Sequence, residues 1–169
     1  MSKFSDICTA YSTSRTTYFE YRDRSFSFAG ELIRRYVQYL EIPAERFRFV
    51  PLNEEPKPNT TYTLAGAIHL DDDTYWHLGL QIMIFTSSNA YPQQPVLIRF
   101  MFKAAEGGYH IRISENDDGH VIHAGNETEF TTFFDFLQLQ IRQNFLTGLQ
   151  CFLEQSAPLR TIGFIQCAS

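Results

Sequence analysis

A chain of 169 residues, 44% hydrophobic and 20% charged, has the size and composition of one ordinary globular domain with a single expected core. Its net charge of −5 is spread without a block of like charges, so nucleic-acid binding through the phosphate backbone is not indicated. No apolar run approaches the ~20 residues that a membrane-spanning helix requires.

The chain is read as a single domain over residues 1–169. Sixteen Phe and nine Tyr are enough to fill a core and leave rings for an interface. Cys8, Cys151 and Cys167 form no CxxC pair, and MSKFSDICTAY lacks the apolar centre of a signal peptide. Both point to a reducing cytoplasm, where the sequons at Asn59 and Asn126 would be chance matches.

The first element is a helix over residues 5–40. Phe4, Cys8, Tyr11, Tyr18, Ala29, Ile33, Tyr36 and Leu40 recur at helical steps, and Pro43 ends the run. At ~1.5 Å per residue it would span roughly 54 Å, more than one domain of this size can cover. Either it breaks, with the Ser- and Thr-rich stretch 12–17 the expected place, or one end finds another partner.

Strands are then expected over 46–52, 62–70, 75–85, 95–103, 109–114 and 120–123, separated by turn-rich segments. Connections this short require antiparallel neighbours. A second helix over 127–155 starts at Asn126, three residues before Glu129, in the manner of a capping box. The tail 156–169 is left unplaced. The fold class is therefore α+β: an antiparallel meander of five to six strands with the N- and C-terminal helices packed on one face as a two-layer sandwich.

Alternation inside the strands assigns their faces. Tyr62, Leu64, Ile68 and Leu70 share parity with Trp76, Leu78, Leu80, Ile82 and Ile84, so the turn between them must keep even opposite even. A three-residue loop of Asp71, Asp72 and Asp73 meets that condition, with His77 opposite Ala67 and His69 diagonal to His77. Val96, Ile98, Phe100 and Phe102, followed by Tyr109, Ile111 and Ile113, continue the inward set. The outer face then gathers His69, His77, Gln81, Arg99, Lys103, His110 and Arg112, a basic, His-rich surface and the candidate ligand-binding site.

Two histidines flanking three aspartates have the residue types of a metal site, but Asp-rich turns form for local reasons, and the hairpin reading is preferred with no metal assigned. His120 and His123, three apart on a strand, point to opposite faces. Asn116-Asp117-Asp118-Gly119 is a turn without calcium-loop spacing, and Glu55 sits among prolines rather than on a nuclease strand. Cys8 and Cys151 read as small core residues. No nucleophile, phosphate-loop or zinc-protease motif is present, so no reaction, catalytic residue or cofactor is assigned.

The expected function is a small protein-binding or adaptor module, homodimeric through the first helix or the open sheet face. One alternative is a domain or enzyme that binds an anionic small molecule on that face, with Arg99, Lys103 and Arg112 holding the anion and a histidine as acid or base. Another is an inhibitor or immunity-type protein acting through its acidic loops.

Overall fold

The computed structural model describes residues 2–87, 90 and 92–155, with side chains described as far as 148. The tail 156–169 and the side chain of Cys151 lie outside the described residues. The chain forms helix α1 (Lys3–Leu40), strand β1 (Phe47–Val50), a single helical turn α2 (Leu64–Ala67), strands β2 (His69–Leu70), β3 (Trp76–Phe85), β4 (Gln93–Ala105), β5 (Gly108–Arg112) and β6 (His120–His123), and helix α3 (Glu127–Gln155). The sheet is antiparallel throughout, in the order β1-β3-β4-β5-β6, with β2 also paired to β3. Both long helices pack on one face, as the α+β reading expects.

Helix α1 does not break. Ser2 caps it by accepting the Ser5 N–H, and Thr9, Thr16 and Thr17 return their hydroxyls to the carbonyls four residues back, so these polar side chains bond along the helix instead of opening it. Arg15 lies over the rings of Tyr11 and Phe19, and Arg22 over Phe19 and Phe26, bracing the exposed turns at helical spacing. Termination follows the sequence closely: Glu41 turns left-handed at φ 53°, its N–H returns to Gln38, and Pro43 follows.

The segment 62–70 is not one strand. Tyr62 makes an isolated bridge to Phe49, and the Thr63 hydroxyl then accepts the Gly66 N–H and starts α2. Only His69 and Leu70 pair with β3, and Leu70, expected inside, is exposed. The apolar alternation was interrupted at Gly66, which has no side chain to bury. Strands β1 and β2 therefore occupy the same edge of β3. Val50 faces Gly79 and His69 faces His77, so a single edge line is interrupted by the excursion through residues 51–68. Where the excursion leaves, a Cβ on Gly79 would lie 2.5 Å from the Val50 carbonyl oxygen, a distance that admits only glycine.

The inward set closes the core as expected. Leu78, Leu80, Ile98, Phe100, Phe102, Ile111 and Ile122 are fully buried beneath Leu32 and Tyr36 of α1 and Phe130, Phe133 and Leu137 of α3. Phe28 stacks on Phe130, Tyr36 meets Phe134, and the Tyr39 hydroxyl donates to Asp135 and Gln138. These contacts advance together along both chains, so α1 and α3 run side by side in the same direction. The Tyr36 hydroxyl is buried with no partner among the described residues, and burial pushes its pKa well above the ordinary tyrosine value.

At the start of α3, Asn126 accepts the Glu129 N–H, one half of the expected capping box. The Glu129 carboxylate reaches past the cap and accepts the backbone N–H and the ring Nδ1–H of His123, tying β6 to the helix.

Candidate functional site

Strand pairing places the outer-face residues in rows. His69, His77, Met101 and Arg112 stand side by side across β2, β3, β4 and β5, and Lys103 lies beside His110 in the adjacent row. The expected parity holds, but the turn runs over 71–75, two residues longer than a three-aspartate loop, so His69 faces His77 directly rather than diagonally. The longer turn is closed by Asp71, whose carbonyl accepts the Thr74 N–H while its own N–H bonds the Tyr75 carbonyl; Thr74 takes φ 71° to complete it.

That loop folds back over the basic row. Asp73 accepts from His77 Nε2 at 3.0 Å and from Arg112 Nη2 at 3.3 Å, and also takes the Tyr75 N–H. Burial works against its carboxylate, but the Tyr75 N–H, the His77 ring and the Arg112 guanidinium outweigh burial and hold its pKa below the ordinary carboxylate value. The Tyr75 ring lies beneath Arg112 at 4.1 Å and Lys103 at 4.7 Å. Met101, on the outer side of β4, is only 5% exposed between His77 and Arg112. The face read from sequence as open and basic is here partly closed and partly neutralised.

His110 is fixed at both nitrogens. Its Nε2–H donates to the Asp118 carbonyl at 2.8 Å, which leaves Nδ1 to accept the Tyr75 hydroxyl at 2.9 Å. Gly119, at φ +82°, lies so close beneath the ring that a Cβ there would sit 2.5 Å from Nε2. This histidine therefore seats the β5–β6 turn and offers no free nitrogen to a ligand. Gln81 is engaged by Arg48, and Arg99 stands exposed in the row of Gly79. The seven predicted residues thus divide: His69, His77 and Arg112 form one row, Lys103 and His110 join through Tyr75, and Gln81 and Arg99 belong to neither.

His69 and His77 stack with ring centroids 5.3 Å apart. Burial first, and the adjacent His77 ring second, lower the His69 pKa below the ordinary histidine value against the opposing pull of Asp71, the Ala67 carbonyl and Asp73. The ligand atoms of His69, His77 and Asp71 all lie within 4.8 Å of one another, an arrangement able to hold a cation. Asp71 and Asp73 are the carboxylates nearest in sequence to the two histidines, weighed as ligands and set aside for a turn role, whereas Tyr75, whose ring and hydroxyl join Lys103, His110 and Arg112, reads from the sequence only as the start of a strand. His120 and His123 take separate partners, Phe133 and Phe136 for the first and Glu129 for the second, as their opposite faces require.

The second surface is α1 itself. From residue 2 to residue 20 every side chain except Ser5 is exposed, Cys8 among them, which corrects its reading as a core residue. Phe4, Ile7, Tyr11 and Tyr18 are 74%, 66%, 64% and 44% exposed along one stripe, with Phe19 beside it. The same three- and four-residue steps continue through Tyr21, Ser25, Phe28 and Leu32, which pack on the sheet. One seam is therefore covered at its C-terminal end and bare at its N-terminal end.

No helix of the described residues is long and apolar enough to cross a membrane. Comparison of the chain with protein-family models, with curated proteins and with solved structures finds no match.

Proposed function

We propose that this chain is a protein-binding module that works as a homodimer, joined through the N-terminal half of α1. The observation that carries the reading is the bare seam of Phe4, Ile7, Tyr11 and Tyr18, which continues a stripe the sheet covers only from Tyr21 onward. An apolar residue every three and then four positions is the spacing a second helix packs against.

The occupant is argued from the seam itself. Positions 7, 11, 14 and 18 read the same in both directions, so a two-fold antiparallel pair sets Ile7 against Tyr18 and Tyr11 against the small Ser14, with Phe4 reaching toward the turn of Tyr21, where cover by the sheet begins. Lys3, Asp6, Arg15, Glu20, Arg22, Asp23 and Arg24 mix both signs along this segment, so no block of like charge opposes self-pairing. With rings of ~150–250 Å² each, the four seam side chains and Phe19 beside them hold on the order of 500 Å² of apolar surface, within reach of the ~800 Å² per partner of a standard interface once their neighbours are added.

The measurement is the sedimentation-equilibrium mass of the whole chain at micromolar concentration, expected at twice the monomer. Ile7→Glu with Tyr11→Glu is expected to return it to the monomer with unchanged cooperative unfolding, because neither residue touches the sheet. A monomeric wild-type mass refutes the reading, as does a dimer indifferent to both substitutions.

A further inference from the structure

We propose that His69, His77 and Asp71 bind a divalent transition-metal ion of the zinc class at the β2–β3 edge. The site lies away from the α1 seam and does not depend on the dimer.

The geometry is specific to this cluster. Direct pairing of β2 with β3 sets the two imidazoles face to face, and Asp71, two residues after His69, brings a carboxylate oxygen to 4.0 Å from His77 Nε2. Zinc ligands at ~2.0–2.2 Å in tetrahedral array stand about 3.4 Å apart, so atoms already within 4.8 Å need to close by little more than 1 Å. Asp71 is exposed on a loop, with one carboxylate oxygen on the Asp72 N–H and the other 4.0 Å from His77 Nε2, and its side-chain rotation can close part of that distance. Its exposure also gives the ion a route from solvent.

Donor chemistry selects the ion. Two imidazoles and one carboxylate suit zinc and its first-row neighbours, whereas calcium and magnesium prefer all-oxygen sites. His69 Nδ1 is buried with no hydrogen-bond partner among the described residues. The Nε2 proton of His77, now accepted by Asp73, must pass to Nδ1 or to solvent when Nε2 becomes a ligand. Asp73 then remains bonded to Arg112 and the Tyr75 N–H. Other histidines lack this convergence: His110 has both nitrogens bonded, and His123 has Glu129 alone. Because β2 is only two residues long, an ion bridging His69 and His77 would also clip that strand to the sheet.

The test is calorimetric titration of the whole chain with Zn²⁺, with the visible spectrum of bound Co²⁺ as a second readout. One ion per chain is expected at unchanged molecular mass, with affinity falling ~100-fold or more in His69→Ala and in His77→Ala and about tenfold in Asp71→Asn, while His123→Ala and the Ile7→Glu/Tyr11→Glu protein bind as wild type. Should a histidine variant fail to fold, the wild-type ring resonances decide: Zn²⁺ must shift those of His69 and His77. Absence of binding, affinity unchanged in both histidine variants, or ring shifts confined to His123 overturns the proposal.

Discussion

Substituting Arg112 by Ala separates a ligand-holding role from a structural one. Its side chain is 19% exposed, pairs with Asp73 at 3.3 Å, covers the Tyr75 ring and flanks the buried Met101. A partly buried ion pair contributes ~0.5–1 kcal/mol, a cation over a ring ~0.5–1 kcal/mol, and covering some 20–40 Å² of apolar surface ~0.5–1 kcal/mol. Against these, Arg112 Nε is buried without a partner among the described residues, a standing cost of ~1 kcal/mol that the substitution removes. The net loss is about 1.5 kcal/mol, or a melting temperature roughly 3–6 °C lower for a domain of this size. Arg99→Ala, on an exposed side chain of the same face, is expected to cost less than ~0.5 kcal/mol. Urea unfolding of both variants, with Asp73→Asn closing a double-mutant cycle on Arg112, gives the comparison. Equal losses for Arg99→Ala and Arg112→Ala, or no coupling between Arg112 and Asp73, would refute the structural role.

Two further outcomes follow from contacts outside that row. Gly79→Ala drives a methyl into the Val50 carbonyl, so β1 must shift and about 3 kcal/mol is expected to be lost; a change below ~1 kcal/mol in urea would mean the edge yields freely. The His123 N–H, and then the His123 ring, hold the Glu129 pKa below its ordinary 4.5. The carboxylate therefore stabilises the folded state above that value, and the contribution is lost as pH falls through the depressed pKa. Glu129→Gln is expected to flatten the acid limb of the unfolding curve below pH 4.5. An acid limb identical to wild type would show that the contact between β6 and α3 carries no linkage.

Period-two alternation from Trp76 to Ile111 placed the core side of three strands correctly, because a one-residue slip would have turned a whole apolar set to water. The same parity could not choose between a three- and a five-residue turn, since both keep His69 and His77 outside. That choice rests on Thr74 in a left-handed conformation, which the sequence does not announce. At 62–70 the alternation skipped Gly66, and local capping by Thr63 prevailed over strand propensity. For residues 12–17, intrinsic preference argued for a break, but hydroxyls bonded back to carbonyls and Arg–aromatic pairs held the helix. The neutralisation of Arg112 by Asp73 joins side chains 39 positions apart, beyond what any local pattern encodes.

The parallel course of α1 and α3 places a demand on folding. Tyr39 and Asp135 meet across 96 positions of chain, and the core partners of α1, from Trp76 to Leu137, are all synthesised after it. A nascent α1 can be helical early, since its bonds are local, yet its apolar stripe has nothing to dock on until strands β3 to β5 have formed, and its cover is completed only by the first turns of α3. The first element made is thus not buried until much of the chain has followed it. Through that interval the part of the stripe bound for the core and the part left bare in the finished fold are exposed together, so early self-pairing along α1 would compete with docking on the sheet.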